Sequence, residues 1–109
     1  MTLKDILERC QNLKVEQKRS ISDEYCEFVI SGTDIEQWKK IFDEVFGLAQ
    51  KKEGQKPTKE HLSLTENYGG IAANQILYKR DFDDGILLAM FWPWNDGSFV
   101  TLKLIHLKK

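Results

Sequence analysis

The chain has 109 residues and a nearly even charge balance, with 16 Lys and Arg residues against 17 Asp and Glu residues. This length predicts one domain, residues 1–109, with a single modest core. The net charge of −1 would attract neither nucleic acid nor an anionic membrane, so we expect neither as a partner. The apolar runs are too short for a membrane span and two cysteines are too few for a disulfide scaffold, which favours a cytoplasmic protein.

The N-terminal region predicts a helix followed by a strand. Thr2 and Asp5 have the spacing of a capping box, and apolar residues at helical spacing predict a first helix over residues 3–19. Residues 17–23 are polar and predict a connector. Residues 25–30 are rich in aromatic and β-branched side chains, which predicts a short strand.

The middle of the chain predicts a second helix and an exposed loop. Thr33 and Glu36 form another capping-box pattern, and a broad apolar stripe follows over residues 35–49. Residues 51–60 are densely charged and contain a glycine and a proline, which predicts an exposed, mobile loop. Residues 61–64 predict a brief extended segment.

Three apolar runs near the C-terminus predict a three-stranded antiparallel meander. They span residues 71–78, 86–92 and 99–107, and Asp-Gly turn signals at residues 83–85 and 95–97 separate them. The element order is then helix, strand, helix and meander. Because two helices can cover only one side of a small sheet, we expect an α+β two-layer sandwich with the helices packed on one sheet face.

No residue pattern fixes a reaction, a cofactor or a metal. The candidate ligands and nucleophiles are Asp81, Asp83, Asp84, His61, His106, Cys10 and Cys26. The three aspartates lack the glycine and glutamate of a calcium loop, and no spacing brings the histidines together. Both cysteines share a face with apolar residues, where a thiol stays protonated. We therefore expect a non-catalytic protein without cofactor or metal.

The middle strand of the meander does not alternate, so both of its faces are apolar. Val100, Leu102 and Leu104 form the apolar set expected to meet the helices. Leu87, Phe91 and the mixed side of the third strand would then form an open outer face. Pro93, which cannot donate to a ladder, separates two tryptophans at the end of the middle strand. The predicted partner-binding residues are Leu87, Phe91, Trp92, Trp94, Phe99 and Ile105.

These features predict a protein-protein interaction domain that binds another protein or a second copy of itself as a homodimer. Its size and neutral character are those of inhibitors, immunity-type proteins and adaptors, which is an analogy of character and not of family. The alternative is a small-molecule binder or minor enzyme with a pocket between the sheet and the helices. That pocket would be lined by Trp38, Tyr78, Phe91 and Trp92, with Asp81, His61 or His106 as its polar group. Nucleic-acid binding through Lys79, Arg80 and the lysines of the 51–60 loop is disfavoured, because acidic residues are interspersed among the basic ones.

Overall fold

Five strands form one antiparallel sheet in a computed structural model that describes residues 2–108. The helices are α1 (Leu3–Arg9), α2 (Ile35–Phe46) and α3 (Lys59–Thr65), and the strands are β1 (Gln17–Ile21), β2 (Tyr25–Ser31), β3 (Ile76–Phe82), β4 (Gly85–Pro93) and β5 (Phe99–Lys108). The spatial strand order is β1-β2-β5-β4-β3. The α+β class is confirmed, and β3, β4 and β5 are consecutive antiparallel neighbours as predicted. The first predicted run, residues 71–78, forms a strand only from Ile76, and the structure has one strand and one helix more than the predicted order.

The N-terminal capping box forms as predicted, whereas the first helix is shorter than predicted. The Thr2 hydroxyl accepts a hydrogen bond from the Asp5 amide, and the Asp5 carboxylate accepts one from the Thr2 amide at 2.7 Å. The helix ends at Arg9, and Gln17–Ile21 is strand β1 rather than a connector. Hydrogen bonds to β2 satisfy the backbone polar groups of this segment, and no local sequence pattern predicts that pairing.

Helix α2 buries the predicted apolar stripe. Trp38, Phe42 and Val45 are almost fully buried, and Gly47 with φ of 81° ends the helix early. The predicted Thr33 capping box does not form. A short 3-10 turn, Gly32–Asp34, precedes the helix instead, and the Ser31 hydroxyl accepts the amide hydrogen bond of that turn.

Helices α1 and α2 cover one face of the sheet. The predicted contact of Val100, Leu102 and Leu104 with the helices is confirmed. The placement of Leu87 and Phe91 on the opposite face is wrong, because the strand register pairs Phe91 with Leu102 and aligns their side chains. The ring of Phe91 lies 5.2 Å from that of Phe42 in α2.

The other sheet face is also covered by the chain, so the fold has three layers and not two. Residues 59–71, which we call the cover segment, comprise α3, a 3-10 turn at Glu66–Tyr68 and the following residues to Ile71. Residues 61–64 are therefore helical and not extended. Leu64, Tyr68 and Ile71 pack on a second apolar cluster that contains Leu88 and Ile105. The expectation of an open apolar face is wrong, since both of these residues are 0% exposed.

Lys51 anchors the segment that leads to this cover. Part of the predicted loop over residues 51–60 is exposed, but the Lys51 side chain is fully buried and α3 begins at Lys59. The Lys51 ammonium donates hydrogen bonds to the carbonyls of Lys52, Ala73 and Gln75 at 3.1, 3.1 and 2.6 Å. The Lys51 backbone also pairs with Leu77 in β3. Both ends of residues 52–75 are thereby held beside β3.

Candidate functional site

The six predicted partner-binding residues fall into a buried group and a peripheral group. Leu87, Phe91 and Ile105 are core residues. Trp92 is half-buried, and its ring lies 3.3 Å from the Lys103 ammonium. Trp94 and Phe99 lie at the turn between β4 and β5. A surface role therefore remains a prediction only for Trp92, Trp94 and Phe99.

Trp94 is the most exposed tryptophan, and its side chain is nevertheless fixed. Its surface is 39% exposed, while its Nε1 donates to the Thr101 hydroxyl at 2.9 Å. The Phe99 ring packs against it edge to face, with centroids 5.0 Å apart. Both rings border a shallow depression of about 340 Å³ that Glu16 and Gln17 also line. We call Glu16, Gln17, Trp94 and Phe99 the Trp94 patch.

Paired charges occupy the same sheet face between the Trp94 patch and the cover segment. Glu27 accepts hydrogen bonds from Tyr25 and from Arg19, and these bonds outweigh its burial, so that the pKa of Glu27 is lowered. Burial raises the pKa of Tyr25 and lowers that of Lys103. The Lys103 ammonium donates to the Tyr68 carbonyl at 2.9 Å. These groups have partners within the chain, and the rings of Trp94 and Phe99 are the apolar side chains beside them.

Strand β1 is one edge of the sheet and has features that disfavour pairing with a strand of another chain. All five of its residues are exposed, and no strand within residues 2–108 pairs with its outer side. Lys18 and Arg19 place positive charge on the edge, and a bulge between Lys18 and Ser20 interrupts the register. Edge charges and bulges oppose pairing with another strand. Contacts at this edge are therefore expected to use side chains rather than the backbone ladder.

A cleft lies on the other side of β1, between that strand and α1. It consists of two adjoining cavities of about 450 and 600 Å³, both bordered by Leu7 and Ile21. The first is mainly apolar and is lined by Leu13, Val15, Phe28 and Trp38 among others. The second contains the charged and polar groups Lys4, Asp23, Asp84, His106 and Lys108, for which we call it the polar cavity, although most of its exposed lining is apolar. We call the two cavities together the α1 cleft.

Three buried side-chain nitrogens lack a hydrogen-bond partner in the described part of the chain. Nε1 of Trp38 and Nε2 of His106 belong to residues that line the apolar and the polar cavity, and Nε1 of Trp92 lies on the opposite sheet face. The Asp84 carboxylate lies beside His106, with Oδ2 3.8 Å from Nε2 and thus beyond hydrogen-bond range. Burial raises the pKa of Cys10, which also lines the apolar cavity, to about 11 and keeps its thiol protonated.

The structure separates the residues of the alternative ligand pocket. Trp38 and His106 border adjoining cavities of the α1 cleft, whereas Tyr78 and Phe91 are packed inside the core. The His61 imidazole accepts a hydrogen bond from the Thr58 amide and caps α3. The remaining pocket residues, Trp92 and Asp81, lie on the far side of the sheet.

Sequence reasoning missed Leu7 and Ile21 as cleft residues. Ile21 is 55% exposed, which is unusual for an isoleucine in a short polar strand. Because residues 17–23 carry only this one apolar side chain, no alternation marked them as a strand. Its exposed position beside α1 depends on the pairing of β1 with β2, a contact that the local sequence does not encode.

Within residues 2–108 no cluster of three or more His, Cys, Asp or Glu side chains is arranged to hold a metal ion. No helix in the same range is long and apolar enough to cross a membrane. No protein-family model matches the chain, and no curated protein or solved structure is significantly similar to it.

Proposed function

We propose that this domain binds another protein through the Trp94 patch. The observation that supports the proposal is the combination of exposure and rigidity at Trp94, which keeps 39% of its surface in water while its indole is held by Thr101 and Phe99. A fixed aromatic side chain loses little conformational entropy when a partner covers it. Tryptophan is also among the residues that most often dominate binding energy at protein interfaces.

The energy available from Trp94 is enough to matter for binding. The exposed fraction corresponds to an area on the order of 100 Å² for a side chain of this size. Burial of that area contributes about 2.5 kcal/mol. Loss of such a contact weakens binding by roughly 70-fold. Glu16 and Gln17 surround the two rings with polar groups, which resembles the polar rim around an interface anchor.

The proposal is tested by comparing affinity capture from the native host with three forms of the tagged chain. These are the wild type, Trp94→Ala and Leu48→Ala. Leu48 is a matched control, because it is an apolar residue that is 83% exposed and lies beside β3 at the opposite edge of the sheet. We expect a partner that the wild type and Leu48→Ala retain and that Trp94→Ala loses.

The captured partner is then purified and its Kd is measured with each form. Because Trp94→Ala also removes the contacts to Thr101 and Phe99, Gln17→Arg serves as a second variant that places a charge in the patch without removing them. Both variants are expected to raise the Kd, and Leu48→Ala is not. Sedimentation of the chain alone shows whether the partner is a second copy. Equal capture and equal Kd for all forms would refute the proposal.

A further inference from the structure

Two buried polar atoms without partners border the α1 cleft, at some distance from the Trp94 patch. The Trp38 side chain is 1% exposed and His106 is 6% exposed, and neither ring nitrogen named above has a hydrogen-bond partner within residues 2–108. A buried donor or acceptor that stays unpaired costs about 1 to 3 kcal/mol. The position of His106 on the polar cavity suggests that the head group of a ligand supplies its missing partner.

The gap between His106 and Asp84 has the dimensions of a hydrogen-bonding head group. Nε2 and Oδ2 are 3.8 Å apart, so an oxygen or nitrogen placed between them and to one side can lie within hydrogen-bond distance of both. A hydroxyl or an ammonium can donate a proton to the carboxylate. The same group can also interact with the imidazole, which accepts or donates according to its tautomer.

The charges around this gap favour a neutral or cationic head over an anionic one. The Lys108 ammonium is paired with Glu24 at 3.4 Å. The other lysine in the lining of the polar cavity is Lys4, and its single positive charge is outnumbered by the carboxylates of Asp23 and Asp84. A ligand carboxylate would lie close to Asp84, where like charges repel.

We propose that the α1 cleft binds a small amphipathic molecule, with its apolar chain in the cavity bordered by Trp38 and a hydroxyl or ammonium head between His106 and Asp84. Each cavity has a volume typical of small-molecule sites. Leu7 and Ile21 border both cavities and form the apolar passage between them.

The test is an NMR titration of the full chain with octan-1-ol, octylammonium and octanoate. The indole N–H signals of the three tryptophans provide an internal comparison, since Trp38 borders the cleft while Trp92 and Trp94 lie on the opposite sheet face. We expect octan-1-ol and octylammonium to shift the Trp38 and His106 signals with saturation, and octanoate to bind more weakly. Absence of saturation, equal shifts of all three indoles, or equal binding of octanoate would overturn the proposal.

Variants at exposed positions separate specific binding from loss of folding. Ile21→Ser removes an exposed apolar wall of the cleft and should weaken binding roughly tenfold. Asp84→Asn should weaken octylammonium more than octan-1-ol, because only the ammonium loses a charge partner. Leu62→Ser is the matched control, since Leu62 is 46% exposed and lies in the cover segment. Unchanged affinity in Ile21→Ser, or an equal loss in Leu62→Ser, would contradict the proposed site.

Discussion

Replacement of Lys51 by methionine tests whether a buried ammonium holds the cover segment in place. Burial removes water from the Lys51 ammonium and lowers its pKa, and hydrogen bonds to three backbone carbonyls offset part of the lost hydration. Lys51→Met leaves those carbonyls without their donor, and each costs about 1 kcal/mol where water cannot replace it. Lys52 and Ala73 are exposed, so water can reach two of the three carbonyls. Removal of the buried charge also restores part of the free energy that its desolvation cost. The Gln75 carbonyl is then the main loss, and we expect a net destabilisation of about 1 kcal/mol.

Denaturant unfolding measures this change, and amide hydrogen exchange shows where it acts. The backbone bonds between Lys51 and Leu77, at 3.0 and 3.1 Å, should lose protection before the β4 and β5 pair does. Lys52→Met is the control, because it removes the same charge from an exposed neighbour and should change stability by less than about 0.5 kcal/mol. Equal stability of the two variants, or uniform loss of protection, would show that Lys51 does not anchor the segment.

Two further predictions concern the cover segment and the core. Gly69 has φ of 95° and a Cβ there would lie 2.3 Å from the Trp92 ring, so Gly69→Ala should destabilise by about 2 to 4 kcal/mol in thermal unfolding. Gly70→Ala, with φ of 79° and open space, should cost only about 1 kcal/mol, and equal losses would refute the steric explanation. Burial raises the pKa of Tyr78 above its ordinary 10.0. The protonated phenol therefore contributes fully to the free energy of unfolding below pH 10, and this contribution is lost as the pH rises above 10. Tyr78→Phe should reduce the alkaline decline in unfolding free energy, by at most about 1.4 kcal/mol per pH unit, and an unchanged slope would contradict this.

The parts of the fold that were predicted correctly depend on short-range interactions. The Thr2 and Asp5 capping box is a contact between residues three positions apart. The β3–β4 and β4–β5 hairpins require only turn residues and neighbouring apolar runs. Strand β1 was missed because its polar residues gain stability only by pairing with β2. Helix α3 was missed because its seven residues carry little apolar surface of their own.

The candidate sites depend more strongly on tertiary structure. The sequence indicated Trp94 and Phe99 as surface aromatics, and the structure places them beside Gln17 at the edge of the sheet. The sequence did not indicate the α1 cleft, because that cleft exists only where the short helix α1 leaves part of β1 uncovered. His106 was visible as one of two histidines, but its distance to Asp84 arises from the pairing of β4 with β5.

The amino-acid sequence by itself determined that β4 would be apolar on both faces and therefore removed from water on both sides. It could not determine which segments would cover each face, since apolar patterning records a preference for burial and not the identity of the neighbour. Register placed Phe91 beneath α2, and the Lys51 anchor allowed the cover segment to reach Leu88. Those long-range contacts closed the predicted open face, and the Trp94 patch and the α1 cleft are the binding surfaces that we propose in its place.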